Sequence, residues 1–399
     1  MSEILYWSGS IGLGHVTRDL AIAKKIREKI PNISIDWLAG EPARTFLKMA
    51  GENVLSESER IENGNALAGQ VSKNSKFDFA KFTINVQDAW KANVEVFKVA
   101  FSKKKYDLVI SDETFELWMG MNKDREMVKV PVLEIGDYLG IEPISWNPKE
   151  RIFAYINNRI WCKCASEAAA NEIGIFIGEI DDVPDKKFGF LLPNKKELAR
   201  KGQNFVGYVV NFDLEKVSDQ EAMKKALGYE GSSLIVCSIG GSSVGKGMLD
   251  LCNQAFPLIK KSKPNARMVL VCGPAVEVKT VKVNEGVEAK GFLPNLPEYY
   301  AASDLSIITG GGTSTVELTA LRRPFIFLPL EGHHEQQHTV ASRCARYHAG
   351  IRMNFSATPE SLAAAALSVM GKPVDYGIIP VDGANNIAAI VSKQLSSNA

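Results

Sequence analysis

The sequence lacks several features that would narrow its function at once. Its 399 residues carry 47 Lys and Arg against 46 Asp and Glu, so its formal net charge is +1 and nothing indicates a nucleic-acid-binding surface. The six cysteines show no Cys-x-x-Cys spacing, which favours reduced, mostly buried thiols over a disulfide framework. The sequence contains neither the roughly eighteen consecutive apolar residues that span a bilayer nor the pattern of a signal peptide. We therefore expect a cytoplasmic protein.

What the chain does contain is a regular alternation of short apolar runs and amphipathic stretches, which is typical of βα units around parallel sheets. Two series of apolar runs lie on either side of the polar segment 193–202: 4–8, 33–38, 107–111 and 130–135, then 234–239, 267–272, 287–291, 305–309 and 325–330. We predict an α/β protein of two doubly wound Rossmann-like domains, 1–200 and 203–372, that face each other across a ligand-binding cleft. Residues 373–399 add a C-terminal helix that is free to pack back on the first domain.

The most informative segment is 309–317, where the apolar run 305–308 leads into Gly310-Gly311-Gly312 and a helix-compatible sequence. Glycines allow a ligand to approach the backbone, and a helix N-terminus offers free N–H groups to a phosphate. Glu317, one turn into the helix, is placed to accept hydrogen bonds from two ribose hydroxyls. The segment therefore predicts a site for a nucleotide or a nucleotide-sugar.

A histidine and an aspartate follow two strands of the first series. His15 begins a helix after the turn 8–14, where it can act as a general base near neutral pH. Asp112 ends the next strand but one and could orient that imidazole. The alternatives are a histidine that fills a helix start and an aspartate that caps a helix.

Two further motifs match well-known sites incompletely. Residues 240–247 resemble a P-loop, but Gly247 stands where the magnesium-binding Ser or Thr is required, so a phosphate-contacting turn at Ser242 or a plain structural turn is favoured. Residues 334–338 spell His-Glu-x-x-His, the zinc peptidase motif. Ala341 and Cys344 do not continue the longer metzincin pattern, so we expect no metal there and assign Glu335-Gln336-Gln337 to sugar hydroxyls or to a solvated helix start.

Taken together, 9–18 and 304–350 resemble the GT-B glycosyltransferases, in particular family 28 (the cell-wall N-acetylglucosaminyltransferase type) and the UDP-glucuronosyltransferase-like family 1. The resemblance implies an inverting, metal-independent hexosyltransferase that uses a UDP-sugar as co-substrate and needs no other cofactor. The lack of an Asp-x-Asp motif agrees with this. Family 1 members often carry His where this chain has Gly310, which leaves UDP and dTDP both open.

The resemblance also assigns roles to residues of this chain. His15 would deprotonate the acceptor hydroxyl with Asp112 as its partner, and Glu317 would hold the donor ribose. The donor diphosphate and sugar would be bound by the remaining predicted site residues: Gly14, Ser242, Gly310, Gly311, Gly312, Thr313, Ser314, Thr315, Glu335, Gln336 and Gln337.

Three rival functions remain. UDP-N-acetylglucosamine 2-epimerases share the fold but carry adjacent Glu residues where this chain has Val316-Glu317. A nucleotide-sugar-binding protein without catalysis and a zinc peptidase are the others. The acceptor, a lipid or a small molecule, is unassigned. Aromatic and lysine residues alternate in 77–105, which leaves open a peripheral contact with the inner face of the membrane or a helix packed on the sheet.

Overall fold

The computed structural model describes residues 2–9, 13–62, 72–73, 76–77, 87–143, 146–241 and 243–397. The chain divides into two compact units, the first formed by Met1–Ala68, Phe79–Asn211 and Pro380–Ala399, the second by Gly69–Asp78 and Phe212–Ile379. The division after Asn211 falls later than the polar segment 193–202, because a short strand that follows this segment still joins the first sheet.

The first unit is built on a parallel sheet whose strands are largely buried. The strands up to that division are β1 (Ser2–Ser8), β2 (Ile33–Ala39), β3 (Asn53–Val54), β4 (Ser72–Lys73), β5 (Lys76–Phe77), β6 (Leu108–Asp112), β7 (Val132–Gly136), β8 (Glu172–Phe176) and β9 (Gln203–Phe205). Seven of them form the order β3-β2-β1-β6-β7-β8-β9, and β4 and β5 form a separate antiparallel pair. Near-continuous apolar runs such as 4–7 suit strands that are covered by helices on both faces.

The helices of this part of the chain begin where local chemistry favours them. They are α1 (Gly14–Lys29), α2 (Ala43–Met49), α3 (Gln87–Ser102), α4 (Phe115–Lys123), α5 (Pro148–Ser166) and α6 (Lys195–Gly202), with 3-10 turns at Ser56–Arg60 and Ile180–Asp182. Asn147 caps α5 by accepting a hydrogen bond from the Lys149 N–H, and Pro148 occupies the first turn. Asn194 caps α6 in the same way.

The second unit is also a parallel sheet, with the order β12-β11-β10-β13-β14-β15. Its strands are β10 (Ser233–Ser238), β11 (Ala266–Val271), β12 (Val287–Lys290), β13 (Leu305–Thr309), β14 (Phe325–Leu328) and β15 (Ile351–Arg352). Counted from β10, this is the 3-2-1-4-5-6 order of a Rossmann fold, and the first sheet extends the same order by one strand. Both sheets therefore have a switch point, where strand order reverses, at their first strand.

The remaining helices of the chain follow the division after Asn211. They are α7 (Gln220–Leu227), α8 (Lys246–Ser262), α9 (Leu296–Ala302), α10 (Gly312–Ala320), α11 (Ala341–Arg346), α12 (Pro359–Val369) and α13 (Gly383–Ser397), with 3-10 turns at Ser243–Gly245 and Val278–Thr280. A π-helical turn, Glu335–Val340, directly precedes α11, so this stretch of the chain forms two elements. The apolar face of α8, which includes Leu249, Cys252 and Phe256, packs with α12 in the core of this unit.

The final helix belongs to the first unit. α13 packs against α1, and its start is tied to the segment that follows β9. Tyr208 donates its N–H to the Pro380 carbonyl at 2.8 Å and accepts at its own carbonyl from the Gly383 N–H at 2.9 Å. The end of the chain therefore returns to the unit in which the chain begins.

Helix α3 carries most of the described part of the aromatic and lysine-rich segment 77–105; residues 78–86 lie outside the described residues. Its apolar face, with Val96, Phe97 and Ala100, is buried in the core of the first unit, and Lys91 and Lys98 point outward and pair with acids one turn away. Among the helices that the structure describes, none has both the length and the apolar character needed to cross a bilayer.

Candidate functional site

The switch point of the first sheet brings the predicted pair together. β1 pairs directly with β6, so the start of α1 and the end of β6 lie side by side at the carboxyl edge of the sheet. The His15 Nδ1 atom lies 3.4 Å from each carboxylate oxygen of Asp112. The His15 side chain is 17% exposed and Asp112 is fully buried, so the imidazole is accessible and its acidic neighbour is not.

Gly9, the residue after β1, is closely packed against this pair. A Cβ atom at Gly9 would lie 2.8 Å from the Asp112 carbonyl oxygen and 3.4 Å from the His15 ring. Only glycine allows this approach without moving the strand end or the imidazole. Gly9 is thus a packing requirement for the pair.

Arg18 is the residue that sequence reasoning missed. Its guanidinium forms a two-pronged ion pair with Asp112, through Nε at 2.8 Å and through an amino group, and donates to Asp137 at 3.0 Å. The Arg18 side chain is only 6% exposed. One of its amino nitrogens also lies 3.4 Å from a carboxyl oxygen of Glu113. The available signal was its spacing, since residues three apart on a helix share a face.

The surrounding charges set which groups are ionised. Burial alone would raise the pKa of Asp112, but the Arg18 guanidinium and then His15 hold it well below its usual range. Burial, together with Asp137, raises the pKa of Glu113 well above its usual range, and burial together with Asp112 does the same for Asp19. The anion beside His15 is therefore Asp112, and it is matched by a permanent cation.

Two tautomers of the His15 imidazole fit its surroundings. The Nδ1 atom lies 3.0 Å from an Arg18 amino nitrogen, and a guanidinium can only donate. Nδ1 therefore either accepts from Arg18 or donates to Asp112. General-base action at Nε2, which faces Glu113 at 3.6 Å, requires the second arrangement, because only then does Nε2 have a free lone pair.

Three residues of this site have the side-chain types that bind metal ions. His15, Asp112 and Glu113 can each bring one ligand atom within 4.8 Å of the others, and within the described ranges no other cluster of three such residues does so. The Arg18 guanidinium already occupies the carboxylate of Asp112, so a cation placed there would meet a permanent positive charge. His334 and His338 of the His-Glu-x-x-His motif form no such cluster in this part of the chain, and the π-helical turn at Glu335–Val340 replaces the regular helix that the motif requires.

The switch point of the second sheet has a parallel construction. β10 pairs with β13, so the turn after Ile239 lies beside the glycines after Thr309. The Thr309 hydroxyl donates to the Ile239 carbonyl at 3.4 Å, and a Cβ at Gly245 would lie 2.7 Å from the Thr309 methyl carbon. Ser242, assigned to the diphosphate, lies outside the described residues.

Helix α10 starts with exposed backbone donors. Its N-cap is Gly311, which has no side chain to satisfy the first N–H groups. Of the three hydroxyl side chains that follow, two have partners within the protein: Ser314 accepts a hydrogen bond from the Tyr300 hydroxyl at 3.3 Å, and Thr315 donates one to the Gly312 carbonyl at 2.9 Å. What this turn offers an anion is therefore the main chain of 312–314, together with the half-buried Thr313 hydroxyl.

Glu317 lies on the second turn of α10 and is 5% exposed. Among the residues that the structure describes, none is recorded as a hydrogen-bond partner of its carboxyl group, and burial alone raises its pKa to about 8. An unpaired buried carboxyl is costly for a folded chain. Such a group is relieved by a ligand that brings hydroxyl donors.

Two of the three polar residues assigned to the sugar form hydrogen bonds with the main chain. Gln336 accepts from the Leu330 N–H at 2.9 Å, and Gln337 donates to the Pro329 and Leu330 carbonyls at 3.1 and 3.0 Å. Both amides thus brace the turn after β14. A Glu335 carboxylate oxygen lies 3.7 Å from His333 Nδ1, and its side chain is 18% exposed.

Comparison with known proteins identifies the architecture. Residues 235–375 match the family model "Glycosyltransferase family 28 C-terminal domain", which covers the second sheet and its switch point. The chain has the GT-B fold and is similar to the family 28 glycosyltransferases over these residues. An uncharacterized glycosyltransferase of Methanosarcina mazei is 25% identical over 370 residues, with 91% of this chain and 89% of the relative covered.

Two further relatives agree with this GT-B assignment. A Clostridioides difficile UDP-N-acetylglucosamine–N-acetylmuramyl-(pentapeptide) pyrophosphoryl-undecaprenol N-acetylglucosamine transferase is 23% identical over 398 residues, with 93% of this chain and 82% of the relative covered. The solved structure of the glycotransferase of kitacinnamycin has a TM-score of 0.63 at 14% identity and covers 99% of both chains. At that identity the structural likeness shows the fold alone.

Proposed function

We propose that this chain is an inverting, metal-independent glycosyltransferase that moves a hexose-type sugar from a UDP-sugar to the hydroxyl of a lipid or small-molecule acceptor. The match to family 28 and the name of the Clostridioides difficile relative, a transferase that uses UDP-N-acetylglucosamine, support the transferase class and the uridine nucleotide. Glu317 and His15, which lie in different compact units, divide the work between donor binding and acceptor activation.

The observation that carries the proposal is the buried, unpartnered carboxyl of Glu317 behind the uncapped start of α10. A nucleoside diphosphate satisfies both features at once. Its phosphates meet the free N–H groups of 312–314, and its ribose supplies two vicinal hydroxyl donors to the carboxylate.

The chemical step follows from the first site. The acceptor hydroxyl gives its proton to His15 Nε2 as its oxygen attacks the anomeric carbon from the face opposite the diphosphate, which inverts that centre. Asp112 holds Nδ1–H and stabilises the imidazolium, with Arg18 fixing the carboxylate. The N-terminus of α10 stabilises the departing diphosphate, a role that a metal ion plays in other transferases.

The test of the donor site is calorimetric titration with UDP, dTDP, UMP and ATP. We expect UDP to bind, Glu317→Ala to weaken binding by about tenfold or more, and the matched surface variant Glu285→Ala, which removes an exposed acid of the same unit, to have no effect. If none of the four nucleotides binds, or if Glu317→Ala binds UDP as well as the parent, the proposal is wrong.

A second experiment separates transfer from the rival chemistry. Incubation with UDP-N-acetylglucosamine and an acceptor library yields a glycosylated product for a transferase and an epimerised nucleotide-sugar for a 2-epimerase. The cytoplasmic location and the contact of 77–105 with a membrane remain part of the proposal. Since the apolar face of α3 is buried, such a contact would use its outward lysines.

A further inference from the structure

The first unit contains a cavity of about 420 Å³ that the chemistry above does not use. It extends along one face of the sheet, from the carboxyl ends of β6 and β7 to the amino ends of β8 and β9. Four aromatic side chains form one wall: Phe115, Trp118, Tyr138 and Trp161. Their ring centroids are 5.2 to 6.3 Å apart and the ring planes are tilted by 42 to 58°, which is the geometry of aromatic side chains in mutual contact, so the four rings form one continuous apolar surface.

The opposite wall is the face of the sheet. Glu134 and Gly136 on β7 and Gly174 on β8 lie on the same face, because Glu134 pairs in register with Gly174 and side chains alternate along a strand. A Cβ atom built on Gly136 would meet nothing within 4 Å. A larger side chain at position 136 would occupy free space in the cavity, and close packing of the backbone does not require glycine there.

Glu134 is the polar group of this wall. Its Oε1 atom is buried and has no hydrogen-bond partner among the described residues. Burial, reinforced by Glu172, raises the pKa of Glu134 to about 8, so at neutral pH the carboxyl keeps its proton and can donate it in a hydrogen bond. Glu172 itself accepts from Arg125 at 2.7 Å and from the Ala169 N–H at 2.8 Å.

One end of the cavity lies beside the reacting residues. Glu113 lines it, and a Glu113 carboxyl oxygen lies 3.6 Å from His15 Nε2. A single side chain, that of Glu113, thus connects the lining of the cavity with the histidine. Of the carboxyl groups in the lining, Glu172 is paired with Arg125, and Glu113 and Glu134 have raised pKa values that favour their protonated forms, so the lining suits an uncharged molecule that brings oxygen acceptors.

We propose that this cavity binds the body of the acceptor, and that the acceptor is a small, uncharged, ring-bearing alcohol or phenol with a carbonyl or ether oxygen facing Glu134. The inference rests on the proposed function for the transfer step, but the binding it describes does not. The aromatic wall contacts the ring system, Glu134 donates to the oxygen, and the hydroxyl points to His15.

Direct binding tests the proposal without any donor. The probes are 5-hydroxy-1-tetralone, a fused-ring phenol with a ring ketone, its ketone-free counterpart 5,6,7,8-tetrahydro-1-naphthol, and farnesyl phosphate as an acyclic isoprenoid anion. We expect saturable binding of the tetralone, about fivefold weaker binding of the ketone-free phenol, and no measurable binding of farnesyl phosphate. Tighter binding of farnesyl phosphate than of the tetralone would overturn the proposal.

Variants locate the binding in the cavity. Gly136→Val fills the free space and should weaken both phenols by about tenfold or more. Glu134→Gln keeps a donor and should retain the preference for the ketone, whereas Glu134→Leu should abolish it; this pair gives an answer even if Gly136→Val does not fold. Unchanged tetralone binding in Gly136→Val, or an unchanged ketone preference in Glu134→Leu, contradicts the inference.

The two proposals fail separately. If the tetralone binds but UDP does not, the cavity assignment stands as a ring-binding site and the transferase proposal falls. If UDP binds and Glu317→Ala weakens it, while no ring compound binds, the transferase proposal stands and the cavity assignment falls. Glu317→Ala should leave tetralone binding unchanged in either case, because that residue belongs to the other unit.

Discussion

Glu317 makes donor binding depend on pH in a way that can be measured. Its carboxyl has a pKa of about 8 in the free chain because burial disfavours the charge. Ribose hydroxyls donate to the ionised form, so binding of a UDP-sugar requires loss of this proton. A carboxyl with that pKa is about 1% ionised at pH 6 and about half ionised at pH 8, so affinity should rise about 50-fold over this range, or about 2.3 kcal/mol.

The assay is calorimetric titration with UDP-glucose at pH 6, 7 and 8, in buffers of different ionisation enthalpy. UDP-glucose is chosen because its phosphates are both diesterified and do not titrate in this range, unlike the terminal phosphate of UDP. We expect release of about one proton per ligand at pH 6 to 7. Glu317→Gln is the control, since it keeps the shape of the side chain without the titration. If the parent shows no more pH dependence and no more proton release than Glu317→Gln, the assigned role of this carboxyl is refuted.

Four further predictions address stability and catalysis. The Glu317 carboxyl ionises near pH 4.5 in the unfolded chain and near pH 8 in the folded chain, so its burial lowers the stability of the fold as the pH rises between these two values. In thermal denaturation, Glu317→Gln should therefore unfold at a higher temperature than the parent at about pH 8 and at nearly the same temperature at about pH 4.5. His15→Ala should abolish transfer and leave calorimetric UDP binding within about twofold of the parent; a collapse of UDP affinity would contradict the division of roles. Arg18→Gln should destabilise the first unit by roughly 3–5 kcal/mol in urea unfolding, because the buried Asp112 carboxylate loses its partner, and the double variant with Asp112→Asn should recover part of the loss. Gly9→Ala should cost about 1–3 kcal/mol and lower kcat, because its methyl group meets the Asp112 carbonyl, whereas Gly202→Ala, whose methyl group meets nothing within 4 Å, should not destabilise the chain.

The sequence predicted the local elements of the donor site because their signals are local. An apolar run, three glycines and a helix-compatible stretch predicted the strand, turn and helix that the structure shows as β13 and α10. The two-sheet α/β architecture and the GT-B fold were likewise predicted from the alternation of runs and from the family resemblance, and both are confirmed. The placements of His15 and Asp112 followed from the rule that parallel strands end at one edge.

The use of polar side chains was harder to predict. Gln336 and Gln337 look like sugar ligands in the sequence, but the turn after β14 lies within their reach and takes up their hydrogen bonds. Whether an amide faces a ligand or its own backbone depends on a turn geometry that residue types do not specify. The π-helical turn at Glu335–Val340 is a further case, since its letters match a zinc motif and its geometry does not.

The sequence by itself determined the succession of strands and helices along the chain, the glycines at both switch points and the position of Glu317 on α10, because each depends on neighbours along the chain. Only the tertiary structure decided which charges meet. Arg18 and Asp112 are 94 residues apart and form one buried ion pair, and the cavity beside Glu134 is enclosed by segments from 111 to 203. Burial and electrostatic pairing are properties of the assembled unit, so the ionisation states on which the proposed chemistry depends arise only when the sheet brings these distant residues to one edge.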